Sequence, residues 1–296
     1  MSSALQIGVL GNEGSWYVAD LTRAATARGH HCRRFEFREL LSYVIPGTLD
    51  IRESESLGDL DALIVRTMPP GSLEQVVYRM DVLLMLESQG MTVLNPPRAV
   101  ECAVDKFLTT AKLQQAGLLI PRTVVCENSE SALVAFEELG GDIVLKPLFG
   151  AEGRGIMRIS QVDEAFRVFR NFERMDVVLY LQEFIDHPGY DVRVLVLDGN
   201  VLGAIRRASP DDFRTNVSRQ ATASKHMPTD TECEIAIRAA QAVGARIAGV
   251  DLLYDRDENC FVIEVNAVPG WQAFRKATKI DVATKLIESL EAKHES

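Results

Sequence analysis

The sequence lacks the features of a disulfide-bonded, zinc-binding or membrane-spanning protein. Its five cysteines are widely spaced and include no C-x-x-C pair, which argues against a disulfide framework and a cysteine zinc site. No apolar run approaches the roughly 20 residues that a transmembrane helix needs, and residues 5–10 open an apolar stretch without a basic leader. We therefore expect a cytoplasmic protein that does not enter a membrane.

Basic charge is also scarce. The 296 residues carry a formal net charge of -10 with a pI near 5.1, whereas nucleic-acid binding is dominated by basic surface. We therefore expect no nucleic-acid partner. Hydrophobic residues make up 47% of the chain, as in ordinary globular proteins, and the length is sufficient for two or three compact units with their own cores.

Three common catalytic motifs are missing as well. The loop after the first predicted strand contains Gly11 and Gly14 but not the full G-x-G-x-x-G pattern of dinucleotide-binding proteins. No Gly-Lys-Ser/Thr sequence precedes a helix as in a P-loop. The five histidines stand in no Ser/His/Asp or Cys/His arrangement, so the sequence gives no sign of a side-chain nucleophile.

Apolar strands and amphipathic helices alternate along the first third of the chain, as is typical of a small parallel α/β domain. The pattern predicts strands over residues 7–10, 31–37, 62–66 and 92–94 and helices over residues 16–28 and 73–87. Pro96 and Pro97 then interrupt regular structure, because proline removes a backbone donor and restricts the residue before it. We therefore predict that an N-terminal domain ends at residue 97.

Two lysines stand where a phosphate could be bound. Lys106 occupies the first turn of a predicted helix, where the helix dipole disfavours a cation. Lys146 ends an apolar strand and is followed by Gly150, Gly153 and Gly155, which would let backbone amides approach phosphate oxygens. Taken alone, Lys106 could be a solvated surface lysine, and the glycine segment could be a flexible hairpin turn.

A late hairpin brings polar side chains together. Two apolar runs within residues 249–266 flank a polar cluster, which predicts antiparallel strands. If the turn centres between residues 257 and 258, Asp251 lies opposite Glu264, and strand alternation puts Asn266 on the same face. Two carboxylates and a carboxamide are hard oxygen ligands that suit Mg²⁺. A solvated strand face is the alternative.

An arginine-rich segment lies between the lysines and this hairpin. An Asp-Gly turn predicts an earlier hairpin that ends in Arg206 and Arg207, and Arg214 and Asn216 follow shortly afterwards. Such a cluster could clamp an anion, although a solvated rim would have the same composition.

Taken in this order, these segments resemble the ATP-grasp superfamily, and within it the RimK-type α-L-glutamate ligases. The resemblance covers essentially the whole chain and is most specific in residues 105–106, 146–156, 191–193, 212–216, 248–253 and 264–270. Residues 65–81 and 94–99, with the Pro-Gly-Trp at 269–271, look more like the branch that adds glutamate to tetrahydromethanopterin than the branch that modifies a ribosomal protein. Many relatives have Gly-Leu-Glu-Gly after that Pro-Gly, and this chain does not.

The resemblance implies an α/β protein in which an ATP-grasp fold is preceded by a small Rossmann-like parallel domain. The implied domains are an N-terminal domain at residues 1–97, a central subdomain with the glycine loop at 98–185 and a C-terminal subdomain with the metal site at 186–296. Lys106 and Lys146 would bind ATP phosphates under the loop 150–155, and Asp191 would contact the ribose. The hinge strand that contacts adenine through backbone groups would be Gln182, Glu183, Phe184 and Ile185.

The resemblance also implies the ligands of the metals and of the reacting groups. Two Mg²⁺ ions, for which Mn²⁺ could substitute, would be held by Asp251, Glu264 and Asn266. The acyl-phosphate or the incoming substrate would be contacted by Arg207, Arg214 and Asn216.

The implied activity is that of an ATP-dependent, ADP-forming acid–amino-acid ligase. It would join L-glutamate to the carboxylate of a small molecule, such as a tetrahydromethanopterin-like compound, and the enzyme would be a homodimer or homotetramer. One alternative is a ligase that glutamylates a protein C-terminus. Others are an ATP-grasp ligase with a different amine donor, of the D-alanine ligase or carboxylase kind, and a nucleotide-binding regulator that has lost ligation.

Overall fold

The computed structural model describes residues 4–150, 155–209 and 222–295. Three predicted site residues, Gly153, Arg214 and Asn216, lie outside these ranges. Within them, the helices are all too short or too polar to cross a membrane.

The first structural unit is a parallel sheet flanked by helices. In chain order its elements are β1 (Gln6–Leu10), α1 (Trp16–Ala27), β2 (His31–Phe35), β3 (Leu41–Ile45), β4 (Thr48–Arg52), β5 (Ala62–Val65), α2 (Leu73–Ser88) and β6 (Thr92–Leu94). The parallel strands follow the order β2-β1-β5-β6, and β1 and β5 are buried almost throughout, as expected of strands covered on both faces. The β3–β4 hairpin is an insertion that the alternation of the sequence did not predict.

Pro97 begins a helix, which the sequence interpretation missed. Two short helices follow β6: α3 (Pro97–Val104) and α4 (Lys106–Gln115). Proline is tolerated at the first helical position because that residue needs no backbone donor. Cys102 of α3 and Leu113 of α4 share an apolar core with the carboxyl-terminal sheet. The helices after residue 97 therefore pack on that sheet, and the predicted domain boundaries stay a prediction.

A second sheet forms the central unit. Its elements are β7 (Thr123–Cys126), α5 (Ser129–Glu138), β8 (Ile143–Lys146), β9 (Met157–Ile159), α6 (Val162–Arg174) and β10 (Leu179–Glu183). The strands are antiparallel in the order β7-β10-β8-β9. Both helices cover one face, where Phe136 and Phe169 meet edge to face with ring centroids 6.5 Å apart. Lys146 and Gln182 belong to the opposite face, because strand side chains alternate.

The third sheet carries the predicted metal ligands. Its elements are β11 (Tyr190–Leu197), β12 (Asn200–Ala208), β13 (Thr222–His226), α7 (Asp230–Val243), β14 (Ile247–Tyr254), β15 (Cys260–Asn266), α8 (Gln272–Thr278) and α9 (Val282–His294). The strands are antiparallel in the order β13-β12-β11-β14-β15. Val192, Val194 and Val250 pack with α7 in one core. On the opposite face, Asp191, Arg193, Arg207 and Asp251 form a polar region, called the polar face below. Farther along β11, Leu195 and Leu197 on that face pack in another apolar core.

An irregularity in the last hairpin decides which side chains join that polar face. Near the turn Leu252 pairs with Val262, whereas Asp251 pairs with Glu264, so β15 has gained one residue, Ile263. Such an extra residue is a β-bulge. A shift of one residue inverts every strand side chain, so without the bulge Glu264 would point to the face opposite Asp251.

We expect the core of the central unit to depend on Phe169. Phe169→Ala should lower the free energy of unfolding by about 3–5 kcal/mol, because a fully buried ring is replaced by a cavity. Urea unfolding followed by far-UV circular dichroism measures the change. Phe166→Ala, one turn earlier on the same helix and 42% exposed, should cost about 1 kcal/mol or less. Equal losses in the two variants would contradict this packing.

Candidate active site

Lys106 is held at the start of α4 and reaches the beginning of the glycine loop. The Asp105 carboxylate caps the helix by accepting from the Leu108 N–H at 3.0 Å, so Lys106 is the first helical residue. Its ammonium donates to the Gly150 carbonyl at 3.0 Å. Burial lowers the pKa of Lys106, and the Glu264 carboxylate opposes that effect. Lys106 thus lies within electrostatic reach of the predicted metal ligands.

Lys146 is a second cation facing the same region. Its ammonium donates to the Gln182 side-chain oxygen at 2.5 Å, and the Gln182 amide donates in turn to the Thr123 hydroxyl at 3.0 Å. The pKa of Lys146 is lowered to about 8, chiefly by burial; the Glu264 carboxylate opposes the shift, and the Lys106 charge contributes to it. The structure therefore brings together the two predicted phosphate-binding lysines and the hairpin carboxylate.

The ends of the glycine loop are described, and its middle, including Gly153, is not. Gly155 has a φ of +75°, a left-handed conformation that glycine adopts without strain. The closure of residues 150–155 over phosphates stays a prediction.

Asp251 lies at the centre of the polar face and is fully buried. Arg193 donates to both of its carboxylate oxygens at 2.6 Å, and Arg207 approaches one of them at 2.9 Å. Burial alone would raise the pKa of Asp251, but the two guanidinium groups hold it below its ordinary value. Asp251 is therefore an anion that already has two cationic partners.

Glu264, directly opposite, is different. Among the described residues it has no hydrogen bond or ion pair, and burial and the nearby Asp251 charge raise its pKa. A carboxylate in this position would be stabilised by an additional cation. Asn266 donates its amide to the Gly249 carbonyl at 3.3 Å, which leaves its side-chain oxygen available as a ligand.

This oxygen set fits Mg²⁺ better than a transition metal. In the described part of the chain no three His, Cys, Asp or Glu side chains are grouped as metal ligands. The set consists of two carboxylates and one amide, and Mg²⁺ typically takes one or two protein carboxylates and completes its shell with water and phosphate oxygens.

Arg207 is held between two carboxylates. It donates to Asp191 at 2.7 and 2.5 Å and also contacts Asp251, and these partners raise its pKa although burial opposes them. Asp191 is itself fully buried. A direct contact of Asp191 with ribose, as predicted, would therefore require it to turn away from Arg207. That contact and the contact of Arg207 with substrate stay predictions.

Arg193 was missing from the predicted site. A sequence pattern could have identified it, because Asp191 and Arg193 are two residues apart on one predicted strand and so share a face. Its importance depends on the register between β11 and β14, which pairs Arg193 with Asp251.

The predicted adenine-binding segment is only partly free to bind a ligand. The Glu183 N–H donates to the Arg122 carbonyl and the Phe184 N–H to the Asp142 carbonyl. Within the described ranges the Ile185 N–H makes no hydrogen bond. Of these three backbone donors, Ile185 is therefore the one that could contact adenine without breaking an existing bond.

Lys106 of a helix, Lys146 of one antiparallel sheet and the carboxylates of another converge next to a parallel α/β unit, and this arrangement defines an ATP-grasp protein. Residues 103–290 match the RimK-like ATP-grasp domain, and the chain belongs to this family. It is therefore an ATP-dependent ligase. ATP-grasp ligases use ATP with Mg²⁺.

Comparisons with known proteins agree with this assignment. The chain is 33% identical to tetrahydromethanopterin:alpha-L-glutamate ligase of Methanosarcina acetivorans, over 83% of this chain and 84% of that protein. It is 31% identical to a probable alpha-L-glutamate ligase of Trichodesmium erythraeum, over 97% and 96%. The ATP-grasp ligase PsnB complexed with a minimal precursor has a TM-score of 0.78 at 24% identity, covering 98% of this chain and 99% of that one, which confirms the fold.

We expect Glu264 to be required for Mg²⁺ binding. Glu264→Gln keeps the size of the side chain but removes its charge, so the Mg²⁺ concentration for half-maximal ATP turnover should rise at least about 10–100-fold, the loss that outer-shell changes alone produce. Manganese-detected relaxation of water protons measures metal binding without turnover. Glu258→Gln, in the exposed turn of the same hairpin, should leave both measurements unchanged. A normal Mg²⁺ requirement in Glu264→Gln would remove this residue from the site.

The lowered pKa of Lys146 predicts a pH-dependent affinity for ATP. Below about pH 8 the Lys146 ammonium is charged and can bind phosphate, and above that pH the free protein loses this charge. The affinity for metal-free ATP should therefore fall about tenfold per pH unit, until the pH reaches the pKa of Lys146 in the ATP complex. Calorimetric titrations between pH 7 and 10 measure this decline. Lys146→Arg stays charged and should abolish the component near pH 8. An unchanged profile in that variant would assign the effect elsewhere.

Proposed function

We propose that the protein joins L-glutamate to the carboxylate of an acceptor through an acyl-phosphate and releases ADP and phosphate. The observation that carries this proposal is the meeting of Lys106 and Lys146 with the Asp251 and Glu264 carboxylates across two sheets. Cations that bind phosphate and oxygen ligands for Mg²⁺ are the two requirements of phosphoryl transfer. The names of the relatives supply the choice of glutamate.

The chemistry proceeds in two steps. An oxygen of the acceptor carboxylate attacks the γ-phosphorus of ATP, and the bond to the bridging oxygen breaks to release ADP. The neutral amine of glutamate then attacks the acyl carbon, the carbon–oxygen bond to phosphate breaks, and the amine loses a proton as the amide forms. No side-chain nucleophile is needed, in agreement with the absence of a triad motif in the sequence.

The residues of the site would act mainly by position and charge. Lys106 and Lys146 would bind the phosphates, and Arg193 and Arg207 would stabilise the negative charge of the transferring group. Asp251, Glu264 and Asn266 would hold two Mg²⁺ ions, with Mn²⁺ as a substitute, which when bound neutralise phosphate charge. Ile185 would contact adenine, and the loop with Gly150, Gly153 and Gly155 would cover the phosphates. Arg214 and Asn216 would contact the acyl-phosphate.

We infer that the acceptor is a small molecule, such as a tetrahydromethanopterin-like or glutamate-tailed compound. Three relatives at 29–33% identity are named tetrahydromethanopterin:alpha-L-glutamate ligases. The net charge of -10 also disfavours docking of an acidic macromolecule. Glutamylation of a protein C-terminus is the second candidate.

The decisive experiment traps the activated acceptor. With hydroxylamine in place of glutamate, a hydroxamate should form only when ATP, Mg²⁺ and acceptor are all present, and one ADP should be released for each hydroxamate. Lys146→Met should reduce both products together. Release of AMP and pyrophosphate would contradict the proposal, because the carboxylate would then be adenylated. Parallel reactions with pterin-type acceptors and with a glutamate-ended peptide separate the two candidate acceptors.

A further inference from the structure

Arg66 is a buried cation at the end of β5. It is 9% exposed, and its guanidinium lies 4.7 Å from the ring centre of Tyr17 and 4.3 Å from that of Trp271. One of its nitrogens donates to the Pro269 carbonyl at 3.0 Å. Burial lowers the pKa of Arg66 to about 10, although Tyr17 opposes the shift. Two ring faces and one carbonyl stabilise a guanidinium less than a bidentate carboxylate would.

The counter-ion of Arg66 is missing from the described part of the chain. Its Nε is buried without a hydrogen-bond partner. Arg52 and Arg246 each have one such nitrogen too, but their guanidinium groups form ion pairs with Asp50 and Asp198. A buried charge without a partner is costly. The arrangement is therefore the one expected of a cation that receives an anionic ligand.

The position of Arg66 points to the ligand that it receives. In open parallel sheets, ligands bind at the carboxyl ends of the strands, and Arg66 immediately follows β5. A cavity of about 200 Å³ opens at this edge beside Arg66, lined by Gly11, Thr67 and Pro69 and by the charged side chains of Glu36 and Arg38. Arg66 lies behind this lining, next to Thr67 in the chain. The Pro269 carbonyl that Arg66 bonds is close to the metal-site strand. Pro269 follows Asn266 by three residues, so the Cα atoms of Asn266 and Pro269 are at most roughly 11 Å apart.

We propose that Arg66 binds a carboxylate of the acceptor other than the one that is activated, and so selects acceptors with two carboxylates. An acceptor that ends in one or two amino-acid units can span the distance between this cation and the metal-site strand. The inference rests on the proposed function and names a specificity-determining residue for it. Phosphate has the same oxyanion chemistry and is distinguished by experiment.

Binding of simple probes tests this site without turnover. The probes are N-acetyl-L-glutamate with two carboxylates, N-acetyl-L-glutamine with one, and inorganic phosphate. Wild-type protein should prefer the dicarboxylate, and Arg66→Met should weaken its binding about tenfold or more while leaving the monocarboxylate unaffected. Equal binding of the two acetylated probes by wild-type protein would overturn the proposal. A preference for phosphate that depends on Arg66 would also overturn it.

Control variants separate ligand binding from structural support. Arg246 also has one buried guanidinium nitrogen without a hydrogen-bond partner among the described residues, but it is paired with Asp198 and does not line the cavity. Arg246→Met should therefore cost stability without changing the preference between the probes. If Arg66→Met does not fold, Arg66→Lys keeps the charge but loses the bidentate geometry, and should still weaken dicarboxylate binding.

A direct measurement on otherwise unchanged protein uses the contact with Trp271. Trp16→Phe leaves Trp271 as the one tryptophan of the chain, and its fluorescence should change on titration with N-acetyl-L-glutamate and not with N-acetyl-L-glutamine. No change with either probe counts against the site.

The ligase reaction distinguishes failure of this inference from failure of the proposed function. In Arg66→Lys the KM for a dicarboxylate acceptor should rise about tenfold, with the KM values for ATP and glutamate unchanged. Normal acceptor kinetics in that variant reject the role of Arg66 alone. Absence of glutamate ligation in wild-type protein, with Arg66-dependent probe binding retained, rejects the function and keeps the anion site.

Discussion

The site depends on a set of buried opposite charges on one face of the third sheet. Arg193 and Arg207 neutralise Asp191 and Asp251 across three neighbouring strands. Both carboxylates are inaccessible to water, and a buried ion that loses its partner typically costs about 3–5 kcal/mol. The charges must therefore stay together in this chain. Their mutual attraction fixes the orientation of the side chains around Glu264, which forms no ion pair with any of the described residues.

This charge balance also relates the metal to the nucleotide. A divalent cation at Asp251 would be added beside two arginines and near two lysines, so the local charge would become strongly positive. Phosphate oxygens of ATP carry the negative charge that offsets it. The site is thus suited to a metal–nucleotide complex rather than to the metal alone. The predicted oxygen ligands and the predicted phosphate-binding cations are parts of one electrostatic unit, although Lys146 and the carboxylates belong to different sheets.

The sequence predicted elements well where local periodicity decides them, as in β1, β5 and α2. The sequence also predicted that Asp251 faces Glu264, but two errors cancelled. The turn centres on Asp257 and not between residues 257 and 258, and a bulge that was not predicted restores the pairing. Strand alternation contains no information about such a bulge. Arg193 was missed because its partner is set by long-range register. The β3–β4 hairpin was missed because its exposed strands lack a buried apolar pattern.

The bulge at Ile263 divides the last hairpin into two regions with different tolerance for changes in chain length. On the turn side, residues can be gained or lost in the exposed loop, because the ladder beyond the bulge keeps its own register. On the site side, an insertion or deletion of one residue between Val262 and Asn266 would shift the register and turn the Glu264 side chain to the opposite face of the sheet. Aligned sequences of relatives should therefore place their insertions in the loop before Cys260, and the spacing from Val262 to Asn266 should be invariant in those that retain the metal site.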